Sequence, residues 1–125
     1  MIHGIGTDLV SIERMENLIR HYGRRIACKI LTPAELTEYD LALNPASFLA
    51  KHFAAKEAFS KAIGTGLRSP VTLQNIAIAH NTLGKPMFML ELHLTQYLHH
   101  LGIGSTFLSL ADETQYALAF VIMEK

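Results

Sequence analysis

The chain has 125 residues, half of them hydrophobic, which suffices for one domain with a real core and leaves little room for a second. Its formal net charge is zero, which argues against a general nucleic-acid-binding protein. Charged residues make up 18%, below the usual quarter or so, so part of the surface is predicted to be covered by another subunit. We therefore expect a single domain, residues 1–125, in an oligomer.

No segment is typical of a signal peptide or a membrane span, so the cytoplasm is the expected compartment and no membrane contact is expected. The single cysteine, Cys28, cannot form an internal disulfide, and its apolar neighbours indicate a small buried side chain rather than a nucleophile. The seven histidines show no zinc-site spacing with Cys28, and the paired glycines lack the further residues of dinucleotide-binding and P-loop motifs.

The first third of the chain is predicted to form one strand and two helices. Residues 2–10 are typical of a strand, and Ser11 can cap a helix whose apolar positions recur at helical spacing until Gly23. The Thr-Pro-Ala-Glu run at residues 32–35 combines a capping box with proline at the first helical position. It predicts a short helix that continues to about residue 43.

The longest helix is predicted to open at the Asn-Pro pair of residues 44–45 and to end near residue 63, with Gly64 as its stop signal. One face forms a core stripe, made of Phe48, His52, Ala55, Phe59 and Ile63. A second face carries Glu57 and Lys61 on a stripe otherwise made of alanine. Small residues allow another backbone to approach, so Glu57 can share a ligand with an adjacent strand. The spacing by itself nevertheless favours an ordinary Glu–Lys helix pair.

The second half of the chain is predicted to contain mainly short strands, at residues 75–80, 87–90, 106–111 and 116–123, with a helix at residues 92–101. The last strand is apolar on both faces, so it is expected to be central in the sheet or covered by a neighbouring subunit. Helices segregated from paired strands indicate an α+β fold, with the long helix and shorter helices packed on a mainly antiparallel sheet.

Asp8 is unusual because it lies in an otherwise apolar strand. A buried carboxylate is costly unless it is paired or bound to a cation. Asp8 could cap the following helix, pair with an arginine, or join Glu57 in a site for a hard cation. Such magnesium sites typically use one or two carboxylates together with substrate phosphate oxygens and water.

The segment from residue 13 to residue 29 is locally basic, with two acids against five basic residues: Arg14, Arg20, Arg24, Arg25 and Lys29. A basic surface on a neutral protein suggests one acidic partner or ligand. A solvated helix face explains the same charges equally well.

Four segments in order resemble the motifs of the bacterial holo-acyl-carrier-protein synthases, a small single-domain type of 4′-phosphopantetheinyl transferase. They are residues 4–14 (GIGTDLVSIER), residues 53–66 (FAAKEAFSKAIGTG), residues 84–86 (GKP) and residues 109–122 (SLADETQYALAFVI). Each motif alone is weak, but four of them at the right separations within one small domain are specific. The resemblance covers nearly the whole chain.

The resemblance implies a magnesium-dependent transfer of phosphopantetheine from coenzyme A to a serine of an apo-acyl carrier protein, with release of adenosine 3′,5′-bisphosphate. Asp8 and Glu57 would hold Mg²⁺ against the pyrophosphate, where the metal neutralises charge. Lys61 would stabilise or protonate the leaving phosphate. The base that activates the serine would be Glu57 or a water beside the metal.

The resemblance also assigns the binding residues for coenzyme A, which are Lys51, His52, Gly64, Gly66, Gly84, Lys85 and Pro86. Many members have arginine where this chain has His52 and use it near the 3′-phosphate of coenzyme A. Either Lys51 takes over that contact with the phosphate, or His52 is part of the core stripe. Many members also have histidine where this chain has Asp112, which leaves the role of that residue open.

For the partners, the resemblance implies a homotrimer with active sites at subunit interfaces. It also places an acidic carrier protein on the helix after the first strand, against Arg14, Arg24 and Arg25. Two other classes of function are a non-catalytic module that binds coenzyme A or a nucleotide, and a purely structural oligomer. Intact Asp8, Glu57 and Lys61 argue against the first, and Asp8 in an apolar strand would be unfavourable in the second.

Overall fold

The computed structural model describes all residues from 1 to 125 and contains five helices and five strands. In chain order they are β1 (Ile2–Ser11), α1 (Ile12–Tyr22), α2 (Arg24–Ile30), α3 (Pro33–Asp40), α4 (Pro45–Ile63), β2 (Ile76–His80), β3 (Pro86–Leu90), α5 (Leu92–His100), β4 (Ser105–Asp112) and β5 (Tyr116–Glu124). The predicted α+β class is confirmed. None of the five helices combines the length and apolar character that a membrane crossing requires.

The five strands form two antiparallel sheets instead of one. β5 lies between β1 and β4 in a three-stranded sheet, and β2 pairs with β3 in a separate hairpin. The central place of β5 confirms one of the two expectations for this apolar strand. Its inward residues are buried beneath α4, while alternate residues on the other face remain exposed.

Two glycines of β1 allow its backbone to lie directly against α4. A Cβ atom on Gly6 would stand 2.0 Å from the Ala58 carbonyl oxygen, and one on Gly4 would stand 2.1 Å from the Ala62 carbonyl oxygen. Side chains alternate along a strand, so Asp8 lies on the same face of β1 as these glycines. The glycines therefore bring Asp8 close to α4.

The long helix α4 begins and ends at its predicted capping signals. Asn44 Oδ1 accepts a hydrogen bond from the Ser47 N–H group at 3.1 Å. At the other end, Gly64 adopts a left-handed conformation with φ of 94°, and its N–H group donates to the Ser60 carbonyl. Most of the helix is buried. Side chains on α4 are thus carried by a rigid element at the centre of the fold.

The region between α1 and α3 contains one helix that the sequence did not predict. The first helix ends at Gly23 as expected, because this residue adopts φ of 64°, but a separate short helix, α2, follows at Arg24. Arg14 and Arg25 therefore lie on different helices and share no single helical face. α3 also ends earlier than expected, at Asp40.

The expectation of a buried cysteine is wrong. α2 turns Ala27 and Ile30 toward the core, so the intervening Cys28 lies on the exposed face. Its sulfur accepts a hydrogen bond from Arg24 Nη1 at 3.6 Å.

Candidate active site

Asp8 and Lys61 form the first contact of the candidate site, between β1 and α4. Lys61 Nζ donates to Asp8 Oδ1 at 3.1 Å and to the Thr7 carbonyl at 2.9 Å. The Asp8 side chain is only 18% exposed, whereas that of Lys61 is 52% exposed. Asp8 is therefore held in place, and the Lys61 ammonium remains accessible from solvent.

Glu57 lies one turn before Lys61 on α4 and is partly buried. Burial raises the pKa of its carboxyl group, the nearby Asp8 carboxylate raises this pKa further, and Lys61 lowers it. Two residues of strand advance roughly as far as one turn of helix, so Asp8, the next inward residue after Gly6, comes level with this part of α4. The fold thus gathers two carboxylates and one ammonium where β1 meets α4.

The donor set of this site suits a hard divalent cation. It offers carboxylate oxygens only, and no cluster of three or more His, Cys, Asp or Glu side chains occurs in the structure. A pair of carboxylates leaves positions for phosphate oxygens and water, which is how magnesium is commonly held. The repulsion that raises the pKa of Glu57 would also be relieved by a cation between the two groups.

A cleft of about 330 Å³ opens beside Asp8, between α1, α2 and α4. Its charged lining residues are Asp8, Arg14 and Lys29. Its apolar lining includes Met15, Leu18, Ile26, Ile30, Phe53 and Leu73. An apolar depression with two cationic groups at its rim and a carboxylate at one end can accept an amphipathic protein surface or a flexible arm.

The three arginines expected to bind the partner have different surroundings. Arg14 lines the cleft, while Arg25 lines a smaller neighbouring depression with Lys29, which contributes to both. Arg24 instead forms a bidentate ion pair with Asp40, with Nε–Oδ1 and Nη2–Oδ2 distances of 3.0 and 2.8 Å. Its charge is therefore partly neutralised, and the free basic surface next to the cleft consists of Arg14, Arg25 and Lys29.

His52 and Lys51 are separated by the fold although they are adjacent in sequence. The His52 ring is 3% exposed, stacks on Phe48 at 4.0 Å and donates from Nδ1 to the Phe48 carbonyl at 2.8 Å. Burial lowers the pKa of its imidazole, which favours the neutral form. This corrects the expectation that His52 contacts coenzyme A: the ring belongs to the core stripe, which was the second of the two alternatives.

Lys51 lies on the accessible side of α4, near the end of β4. Its ammonium is 3.8 Å from Asp112 Oδ1, and the Ser47 hydroxyl donates to Asp112 Oδ2 at 3.2 Å. The structure thus gives Asp112, whose role the sequence leaves open, a place beside Lys51.

The remaining residues expected to bind coenzyme A lie in two exposed turns. Gly64 and Gly66 follow the end of α4, where both N–H groups donate to the Ser60 carbonyl. Gly84 and Lys85 form the turn between β2 and β3, and Pro86 begins β3. Within one chain, the structure does not bring Lys85 into the cluster of Asp8, Glu57 and Lys61.

The three-stranded sheet has a large apolar face turned away from α4, which we call the outer sheet face. Its exposed apolar side chains come from all three strands and include Ile5, Leu9, Phe107, Leu118 and Phe120. Isolated exposed apolar residues are normal, but a contiguous patch of this kind marks an interaction surface. Asp8 belongs to the edge strand β1 of the same sheet.

Sequence reasoning missed a buried ion pair behind the cleft. Lys56 Nζ lies 2.6 Å from Glu35 Oε1, and the two side chains are 0% and 2% exposed. Glu35 also accepts hydrogen bonds from the Thr32 and Ile78 N–H groups. A signal was present, because Phe53 and Phe59 lie one turn to either side of Lys56 on the long helix. The sequence assigned Glu35 only its role in the capping box, which the structure confirms, and not its pairing with Lys56.

Comparison with known proteins gives a consistent result. The model of the 4′-phosphopantetheinyl transferase superfamily matches residues 4–121. Holo-[acyl-carrier-protein] synthases of Neisseria meningitidis (strain FAM18) and Thiobacillus denitrificans are each 50% identical over all 125 residues, covering 100% and 95% of those proteins.

Solved structures agree. A holo-[acyl-carrier-protein] synthase of Neisseria meningitidis matches with a TM-score of 0.97 at 50% identity, with 100% of both chains covered. One from Helicobacter pylori, in complex with coenzyme A, matches with a TM-score of 0.83 at 27% identity, covering 96% of this chain and 99% of that one. The chain therefore belongs to the holo-[acyl-carrier-protein] synthases of the 4′-phosphopantetheinyl transferase superfamily.

Proposed function

We propose that this enzyme transfers 4′-phosphopantetheine from coenzyme A to a serine of an apo-acyl carrier protein, with Mg²⁺ held by Asp8 and Glu57. The observation that carries the proposal is the convergence of Asp8, Glu57 and Lys61 where β1 meets α4. The relatives support the substrates by name, and the Helicobacter pylori structure contains coenzyme A.

The carrier serine oxygen forms a bond to the phosphorus nearer the pantetheine arm, and the bond from that phosphorus to the bridging oxygen breaks. The departing phosphate leaves as part of adenosine 3′,5′-bisphosphate. Mg²⁺ would supply charge neutralisation on the pyrophosphate. Lys61 has an exposed ammonium beside Asp8 and can contact the leaving phosphate oxygen. Glu57, whose pKa is raised, is a candidate acceptor for the serine proton.

This proposal is tested by incubating the enzyme with coenzyme A, Mg²⁺ and apo carrier proteins, followed by intact-mass measurement of each carrier. A phosphopantetheine adduct on the acceptor serine is the expected result. A carrier whose acceptor serine is replaced by alanine is the control and should show no adduct. Absence of an adduct on every carrier tested would contradict the proposal.

We propose that Lys61 acts on the leaving group, while Lys85 and Lys51 help to bind coenzyme A together with the turns at Gly64–Gly66 and Gly84–Pro86. Lys61→Ala should lower kcat by about a hundredfold, since a lost charge contact in the transition state commonly costs about 3 kcal/mol. Lys85→Ala should mainly raise the KM for coenzyme A, because the exposed turn contacts no member of the cluster. Steady-state kinetics that gave the reverse pattern would show that the two roles are wrong.

We propose that the carrier protein docks over the cleft, with its serine directed toward Asp8. The apolar lining from α1 and α2 is flanked by Arg14 and Lys29, and Arg25 extends the basic surface. The family resemblance implies an acidic carrier protein, so opposite charges would accelerate encounter and fix orientation.

Charge reversal of Arg14 and Arg25 together should raise the KM for the carrier about tenfold or more, while the KM for coenzyme A hardly changes. The dependence of carrier KM on salt should also become flatter. Arg20→Glu is the matched control, because Arg20 is exposed on α1 and lines neither the cleft nor the neighbouring depression. An unchanged carrier KM in the double variant would show that these arginines are only solvated surface.

We propose that the outer sheet face is buried between subunits of a homotrimer, so that active sites lie at subunit interfaces. The apolar area of this face supports an oligomer, and the number three comes from the family resemblance. Light scattering coupled to size exclusion should give a trimer, and Leu118→Glu on β5 should dissociate it. A wild-type enzyme that is an active monomer at micromolar concentration would contradict this assembly.

A further inference from the structure

The buried Lys56 ammonium connects three separate parts of the chain. Its nitrogen lies 2.7 Å from the Ile30 carbonyl, 2.9 Å from the Leu73 carbonyl and 2.6 Å from Glu35 Oε1. An ammonium group has three N–H donors, so every donor is used. The side chain is 0% exposed and can reach neither solvent nor a substrate. Any influence of Lys56 on the reaction must therefore act through the groups that it holds.

Two of those groups belong to the wall of the cleft. Ile30 is the last residue of α2, and Leu73 lies in the connection between α4 and β2; both line the cleft beside Asp8. Phe53, three residues before Lys56 on α4, lines the same cleft. Lys56 thus ties α4 to the opposite wall from behind. Lys56 makes this connection without lining the cleft itself.

The metal-binding side of the site has independent support. β1 is fixed on α4 by the close contacts of Gly4 and Gly6, which do not involve Lys56. Gln74 also joins the two segments of the opposite wall to each other, because its Nε2 donates to the Cys28 and Leu31 carbonyls. Loss of the Lys56 ammonium should therefore leave a folded protein with Asp8 and Glu57 in place and a cleft of altered width.

We propose that Lys56 is a positioning residue that sets the shape of the carrier-binding cleft through the carbonyls of Ile30 and Leu73. The inference rests on the proposed function, in which the carrier docks over this cleft. Buried ion pairs are weak evidence for stability, since well-packed apolar residues often replace them without loss. A role in setting the shape of the cleft explains a buried lysine that holds two cleft residues better than a stabilising role alone.

The test is a KM-against-kcat comparison for Lys56→Met, which keeps an unbranched, flexible side chain and removes the ammonium with its three donors. The KM for the apo carrier should rise about tenfold, because two carbonyl groups lose their donor and the wall relaxes. The KM for coenzyme A and the kcat at saturating carrier should stay within about twofold of wild type. Partial unfolding would instead lower the apparent kcat and leave both KM values unchanged.

Two further variants separate positioning from stability. Phe59→Leu is the matched control, because Phe59 is fully buried on α4 and packs on Phe88 away from the cleft, so it should lower the melting temperature without changing the carrier KM. Lys56→Met/Glu35→Gln removes the unpaired buried carboxylate that the single variant leaves, so it should regain stability and keep the raised carrier KM.

A carrier KM equal to that of the wild type, in Lys56→Met or in the double variant, would overturn the inference. Failure of both variants to fold would also overturn it, because Lys56 would then act on stability alone. Direct binding of a carrier with alanine at the acceptor serine, measured by fluorescence anisotropy, should show the same weakening. If the wild-type enzyme itself transferred nothing to any carrier, the proposed function would fail, which is a different outcome from an unchanged KM in the variants.

Discussion

Replacement of either carboxylate of the site, in Asp8→Ala or Glu57→Ala, should lower phosphopantetheine transfer by about 10²–10⁴-fold. Charge neutralisation by a bound metal contributes several kcal/mol, and each 1.36 kcal/mol corresponds to about a factor of ten in rate. A single remaining carboxylate would hold Mg²⁺ weakly, so part of the activity of each variant should return at high Mg²⁺ concentration.

The same variants should remain folded. Asp8→Ala removes only a partly exposed pair with Lys61, and such pairs contribute little to stability. Glu57→Ala removes a carboxyl group whose pKa is raised by burial and by Asp8, and alanine is a favourable helix residue. Glu16→Ala, an exposed carboxylate on α1, is the control and should keep full activity. Near-normal transfer by either site variant, or by the wild type in excess chelator, would refute the shared metal site.

Gly6→Ala should destabilise the enzyme by about 3 kcal/mol or more, which corresponds to a decrease of roughly 10 °C in melting temperature for a chain of this size. The new Cβ atom would stand 2.0 Å from the Ala58 carbonyl oxygen and 2.8 Å from the Ala62 nitrogen. Both neighbours are backbone atoms of α4, so β1 has to move away from the helix. That movement would separate Asp8 from Glu57 and should also lower kcat in the folded fraction.

Gly104→Ala is the matched control for this prediction. Gly104 has no heavy atom within 4 Å of a Cβ position and does not adopt a positive φ, so the variant should melt close to wild type. Thermal unfolding followed by circular dichroism measures both variants. Equal melting temperatures for Gly6→Ala and wild type would show that the close contact between β1 and α4 is not needed.

The parts of the fold that follow from local chemistry could be predicted from the sequence. The Asn cap and the terminal glycine defined α4 to within a residue, and the largely apolar segment of residues 2–10 placed β1. In both cases the signal lies within a few residues of the feature, so tertiary contacts had little to add. The pairing of Asp8 with Glu57 is different, because their spacing left other interpretations open and only the family resemblance joined them in the proposed metal site.

Features that depend on distant contacts could not be predicted in this way. Gly23 indicates a helix end, but α2 has no capping side chain at its start, so no local signal predicted this short helix. For His52 the helical spacing indicated the core stripe and the family resemblance indicated coenzyme A, and the buried ring stacked on Phe48 decides between them. The partners of Lys56 are 17 to 26 residues away along the chain, so no local pattern reveals them.

The most direct test of the account is intact-mass measurement of an apo carrier after incubation with coenzyme A and metal-free enzyme, before and after Mg²⁺ is added. The account predicts no adduct before addition, one phosphopantetheine per carrier after it, and an equal amount of adenosine 3′,5′-bisphosphate in solution. Glu57→Ala should show little adduct under the same conditions. Transfer at the full rate without a divalent cation would contradict the account.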